Sequence, residues 1–198
     1  MIISGQHVQL RSIEKNDIEQ VRQWRNSPEI IRYMEHREKI SPEMQSSWFE
    51  KVMQSGDHYL IITYKTEKVG MIHLRFLDAG RAESGLFIGP ESYRNSPIGY
   101  WASLPLLDLG FTFLELNEII AKVHVDNELA RSYNQSLGFK LTSNLNEHFQ
   151  EFSINYGRFQ KVVEENKAFQ ALKGTYALSV ENDKHLYQSN GLFISRTQ

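Results

Sequence analysis

The most constraining feature of this chain is the order of segments between Ser84 and Phe139, SGLFIGPESYRNSPIGYWASLPLLDLGFTFLELNEIIAKVHVDNELARSYNQSLGF. An apolar strand enters a loop containing Arg94, Pro97 and Gly99, and a long amphipathic helix follows. A second strand, an Asp-Asn pair and a helix closing on Leu137-Gly138-Phe139 complete the run. A strand that feeds a helix through a short polar loop leaves backbone N–H groups free at the positive end of the helix dipole. Such an end receives anions, a pyrophosphate among them.

The flanking sequence sets the sheet around this unit. Val8–Arg11 alternates as a strand, and Asn16 or Asp17 is placed to cap a helix running through Asn26, with Ile18, Val21 and Trp24 on one face. Pro28 restarts a short helix through Met34. Ser41-Pro42-Glu43 is a helix start, carrying Trp48, Phe49 and Val52 on the apolar face and ending at Gly56. Tyr59–Tyr64 and Val69–Phe76 form a hairpin about Lys65–Lys68, and Glu83–Gly89 closes an antiparallel meander. Tyr100–Leu114 is expected to be helical, Glu118–Val125 a strand, Asn127–Leu137 a helix, and Phe139–Ser143 and Phe149–Ile154 strands. Tyr156–Leu172 patterns as one further helix and Thr175–Ile194 as a hairpin. The sum is an α/β (α+β) fold: a central mixed, mostly antiparallel sheet flanked by helices. The division expected is a domain over 1–155 and a C-terminal extension over 156–198 that packs on the core or mediates dimerisation.

Composition narrows the chemistry. The chain of 198 residues has no cysteine, which removes disulfides, thiolate zinc sites and a cysteine nucleophile. A net charge of -2 supplies no general attraction to nucleic acid or anionic lipid. Seven histidines lack paired ligand spacing, so no metal site is expected. The apolar run near Leu104–Phe113 is interrupted by Asp108 and Gly110 and is too short for a bilayer. With no basic region before an apolar run at the amino terminus, a cytoplasmic location is the expectation.

Order and spacing over Ser84–Phe139 resemble the acetyl-CoA-binding half of the GNAT N-acetyltransferase superfamily. In that family an Arg or Gln opens the loop and glycines follow three and five positions later. Here Arg94 opens it, Asn95 and Ser96 follow, Pro97 replaces the first glycine and Gly99 matches the second. Pro97 removes one donor but suits the first position of a helix, with Ser96 as N-cap and the N–H groups of Ile98, Gly99 and Tyr100 free. Downstream, Asn127, Ala130 and Leu137-Gly138-Phe139 fall in register, and Arg131 belongs to the same helix. The resemblance implies that Asn127 meets the pantetheine arm, while its spacing also suits a helix cap. The family's frequent acidic Tyr aligns with Asn134; Tyr133 is one residue, about 100°, away around the helix.

The amino-terminal half, with Leu10-Arg11, Asp17-Ile18, Trp24-Arg25-Asn26, Ile31–Met34, Ile40-Ser41-Pro42-Glu43 and Trp48-Phe49, is similar to a particular branch of that superfamily. That branch holds ribosomal-protein N-terminal acetyltransferases and bacterial nucleotide-amino-sugar N-acetyltransferases. The implied co-substrate is acetyl-CoA and the partner an amine acceptor. The splayed strand at Leu86, Phe87 and Ile88 would hold pantetheine and polarise the carbonyl. Glu83 is the candidate base, with His73 and His124 as alternatives, and Asn134 the residue nearest the departing sulfur. Trp24 and Trp48 read either as core aromatics or as a pocket wall. Arg25 reads either as a helix end or as a contact to a substrate phosphate. Two rival functions stay open: N-terminal acetylation of a protein, and a non-catalytic module of the same fold. A homodimer is also left open.

Overall fold

A computed structural model describes residues 1–78, 80–172, 176–179, 186–189 and 194–196. Its strands are β1 (Ile2–Gly5), β2 (Val8–Ser12), β3 (His58–Tyr64), β4 (Glu67–Asp78), β5 (Arg81–Ile88), β6 (Glu118–His124), β7 (Lys140–Asn144) and β8 (Phe149–Asn155). Three short ones follow: β9 (Tyr176–Ser179), β10 (Leu186–Ser189) and β11 (Ile194–Arg196). They form one sheet in the order β11-β10-β9-β1-β2-β3-β4-β5-β6-β8-β7. Every pairing is antiparallel except β5–β6. The mixed, mostly antiparallel sheet with flanking helices is therefore present. β1 was not legible beforehand, because Ile2-Ile3 is too short to show alternation.

The helices are α1 (Ile18–Arg25), α2 (Pro28–Ile31), α3 (Pro42–Gln54), α4 (Ile98–Asp108), α5 (Glu128–Ser136), α6 (Tyr156–Glu165) and α7 (Lys167–Gln170). One core lies between the sheet and α4, α6 and α7, and includes Leu60, Ile72, Leu106, Phe152 and Phe159. A second gathers Val21, Trp24, Val52, Ile61 and Met71 under α1 and α3 on the other face. Strand alternation makes both: Leu60 and Ile62 turn to the first core and Ile61 to the second.

Several local expectations need correction. The helix expected over Tyr100–Leu114 starts at Ile98, and its regular part stops at Asp108. A π-helical turn over Leu109–Phe113 follows. The helix expected over Tyr156–Leu172 is two, because Asn166 leaves helical geometry and its side chain accepts the N–H groups of Ala168 and Phe169. Asp17 does not cap α1; its carboxylate is 1% exposed and is bound by Arg11 (2.7 Å), Lys68 (2.7 Å) and the Glu14 N–H (2.8 Å). Phe139 is buried but precedes β7, whose five residues are all exposed. β9 and β10 pair antiparallel where a hairpin was expected over Thr175–Ile194, whereas Thr175 and the connecting residues 180–185 lie outside the described residues.

The feature that positions a site is the β5–β6 pair. Only Arg81, Ala82 and Glu83 pair with Glu118, Ile119 and Ile120. Beyond them the two strands separate, while β5 stays bonded to β4 through Ile88. The β6-facing edge of Ser84–Ile88 is thus left without a neighbouring strand, in the middle of the sheet.

Candidate active site

A cleft of about 620 Å³ opens at this splay. Its floor comes from Glu83, Leu86 and Phe87 of β5, and one wall from Asn127, Tyr133 and Asn134 at α5. Unpaired strand backbone at such a place offers hydrogen-bonding groups to an extended ligand, as a missing strand would.

Asn127 and Gly138 bound α5 by simple rules. The Asn127 Oδ1 accepts the Ala130 N–H at 3.1 Å, the cap that its spacing suggested. Gly138 has φ +99°, and the Gly138 and Phe139 N–H groups close on Gln135 and Asn134. Asn134 faces the cleft, its Nδ2 donating to the Ala130 carbonyl at 2.8 Å. Tyr133 also reaches the cleft; its hydroxyl donates to Ser103 Oγ at 2.7 Å, and burial raises its pKa. α5 thus presents both neighbours, Tyr133 and Asn134, to the cleft.

The loop before α4 sits apart from the residues that line the cleft. Asn95 is exposed with φ +62°, and Ser96 Oγ donates to the Tyr93 carbonyl at 2.5 Å while accepting the Ile98 N–H at 3.4 Å. Pro97 takes helical dihedrals but stands immediately before α4 as its cap residue, rather than at its first position. The Gly99 and Tyr100 N–H groups have no hydrogen-bond partner among the described residues. Arg94 turns back on β5, donating to the carbonyls of Gly89 (2.6 Å) and Ile88 (3.3 Å), with Nη1 4.0 Å from Glu29. Gly99 is buried, and a Cβ there would stand 3.2–3.4 Å from the Tyr133 ring, so close α4–α5 packing calls for glycine. Arg131 lies one turn into α5, with its Nε buried and unpartnered and Nη2 3.7 Å from Glu128.

Glu83 is not at a sheet edge. It sits between β4 and β6, 13% exposed, with Arg75 at 2.6 Å and Lys122 at 3.4 Å; Lys122 also reaches Glu35 at 3.3 Å. Antiparallel register makes this cluster, since Arg75 faces Glu83 directly. Two positions along, His73 faces Gly85, where a Cβ would come within 2.5 Å of its ring. His73 stacks on Tyr59 (5.0 Å between centroids), and burial lowers its pKa to about 4, so the ring is neutral at pH 7. His124 lines the far end of the cleft, bonded to Arg37; burial and then the Arg37 charge lower its pKa.

Trp24 packs in the second core beneath Gly89, whereas Trp48 faces the cleft, edge-on to Tyr59 at 5.1 Å. Sequence reading did not single out Tyr59, Arg75, Ser103 or Lys122. The hairpin register was the available signal for two of them, because it pairs Tyr59 with His73 and Arg75 with Glu83. Among the described residues no cluster of His, Asp and Glu is arranged to hold a metal ion, and no helix is long and apolar enough to cross a membrane.

Residues 7–140 match the family model of the Acetyltransferase (GNAT) domain. The chain is 27% identical over 163 residues to spermidine N(1)-acetyltransferase of Escherichia coli K12, covering 81% of this chain and 85% of that protein. Among solved structures, a domain from Methanocaldococcus jannaschii aligns at TM-score 0.68 and 25% identity, over 75% of this chain and 98% of that one. Spermidine N-acetyltransferase from Vibrio cholerae, solved with CoA and spermine, aligns at 0.70 and 18% identity, over 78% and 98%. A nucleotide-linked sugar GNAT in its apo form aligns at 0.70 and 16%, over 83% and 96%.

Proposed function

Because the chain belongs to the GNAT acetyltransferase family, an acetyl-CoA-dependent class of enzymes, we propose that it acetylates the primary amine of a small molecule or a nucleotide-linked amino sugar. The observation that carries this reading is the cleft at the β5–β6 splay, with a free strand edge on one side and a wall of charged and aromatic side chains on the other. The residues present fit the co-substrate. The edge at Leu86, Phe87 and Ile88 can hold an extended amide-bearing arm, and the Gly99 and Tyr100 N–H groups at the start of α4 suit its pyrophosphate. Asn95 and Ser96 shape that loop, Arg94 pins it to β5, and Asn127 and Arg131 approach from α5. Acetyl-CoA supplies an activated acyl group when bound.

The protein's own part is positioning and proton handling. Glu83 accepts the acceptor's proton, directly or through water, while Arg75 and Lys122 hold its carboxylate in place. Asn134 gives a hydrogen bond near the departing sulfur without serving as an acid. The reading places the enzyme in the cytoplasm, with no metal, nucleic acid or membrane partner. Residues 156–198 act as an extension of a 1–155 domain, packing on it or joining two copies.

A thiol-release assay with acetyl-CoA and a panel of amino sugars, sugar nucleotides and amino-terminal peptides tests the acceptor class. Turnover of amino sugars above peptides supports the proposal. Turnover of peptides alone would redirect it to protein termini.

A further inference from the structure

Arg25, the last residue of α1, is one of the residues that line the cleft. Among the described residues it has no ion pair and no hydrogen bond; its one cationic contact is the Trp48 ring, 6.0 Å from the centroid. Arg11, Arg22, Arg75 and Arg81 each meet a carboxylate. Burial lowers the pKa of Arg25, the sign of a cation drawn from water without a counter-charge, and the neighbouring Tyr59 only partly opposes that. Its position is fixed: Asn26, the next residue, exchanges two hydrogen bonds with the Ile40 backbone (2.9 and 2.8 Å).

The cleft's carboxylates are already engaged. Glu83 meets Arg75 and Lys122, Glu35 meets Lys122, and Asp57 accepts the Phe76 N–H at 2.9 Å. Lys51, exposed on the α3 side of the same cleft, has no ion pair among the described residues. The cations left over are therefore Arg25 and Lys51, both on the side built from α1 and α3. A polyamine would bring further ammonium groups toward them, at a Coulombic cost that low local dielectric enlarges. An anionic oxygen group would instead satisfy a guanidinium fork backed by an aromatic face.

We propose that the acceptor is an amine that also carries a phosphate or carboxylate, and that Arg25 is the residue that holds this anion. The proposal rests on the acetyl-transfer reading and narrows it, setting this chain apart from relatives named for spermidine. It assigns Arg25 to substrate selection, with Asn26 as its positioning residue.

The test uses matched acceptors: glucosamine against glucosamine 6-phosphate and UDP-glucosamine, cadaverine against lysine, and spermidine. Wild type, Arg25→Ala and Arg25→Lys are compared, with acetyl-CoA affinity measured separately by calorimetry. The expected result is a preference of tenfold or more in kcat/KM for the anionic member of at least one pair. Arg25→Ala should raise KM for that member tenfold or more, with kcat within about twofold and acetyl-CoA affinity unchanged. Arg25→Lys should recover part of the loss. No preference within any pair, spermidine as the best acceptor, or an Arg25→Ala variant indifferent to the anion overturns the proposal. Loss of acetyl-CoA binding in the wild type would instead overturn the underlying acetyl-transfer reading.

Discussion

His73 should make the protein lose stability on mild acidification, and the amount can be worked from its surroundings. Burial between Tyr59 and Gly85 lowers its pKa from 6.5 to about 4; Glu83 and Asp57 oppose that shift, and Arg75 and Arg25 add to it. Between those two values the unfolded chain binds the proton more readily than the folded one. The stability that the neutral ring contributes is therefore complete above pH 6.5 and is lost as pH falls toward 4. At about 1.36 kcal/mol per pKa unit, acidification from pH 7 to 5 removes about 2 kcal/mol, an upper value because the ring borders an open cleft. An unfolding entropy of about 2.1 cal/mol/K per residue gives about 0.4 kcal/mol/K for a chain this long, so the shift in Tm is about 5 °C. Thermal melts of wild type and His73→Phe at pH 7 and 5 isolate the effect. Phenylalanine keeps the stack on Tyr59, and His73 makes no hydrogen bond within the described residues that would be lost. The variant should fall less in Tm by about that margin. Equal falls in the two proteins would refute the assignment of a neutral, buried ring.

Glu83→Gln should lower kcat by about a hundredfold or more while leaving acetyl-CoA affinity within a factor of two, as steady-state kinetics and calorimetry would report; unchanged kcat would remove Glu83 from proton transfer. Asp17→Asn should cost about 3 kcal/mol in urea unfolding, because Arg11 and Lys68 lose the carboxylate they share. In the wild type the same carboxyl, its pKa lowered to about 2 by hydrogen bonds from Arg11, Lys68 and Glu14 against the cost of burial, should lose its contribution only as pH falls from about 3.8 to 2. Gly99→Val should weaken acetyl-CoA binding and cost about 1–3 kcal/mol, since its side chain must displace the Tyr133 ring from 3.2–3.4 Å contact.

The sheet and the central helices were legible because their signals are local. Ser41-Pro42-Glu43 announced α3, whose Ser41 does accept the Met44 N–H at 3.2 Å; Asn127 and Gly138 bracketed α5 in the same way. Polar residues whose partners are distant in sequence were legible only in part. Asp17 looked like a cap six residues from Arg11, yet Lys68 on β4 decides its role. Asn26 does end α1 as expected, but its side-chain tie to the Ile40 backbone was not legible. Glu83 was chosen as a candidate from its place on β5, but its two cations arrive through pairing registers that one strand's sequence does not contain. Gly99 was noticed for a phosphate, but its close contact with the Tyr133 ring of the neighbouring helix was not legible. Asn166 divided the last helix through a cap that helical periodicity on either side concealed.

The central claim is that the β5–β6 splay and the start of α4 together receive acetyl-CoA. Calorimetric titration of the full chain with acetyl-CoA, repeated in the presence of excess CoA, addresses it most directly. One site per chain, with micromolar affinity that CoA abolishes by competition, is the predicted result. A folded protein that releases no heat with acetyl-CoA, and whose Tm does not rise in its presence, would contradict the account.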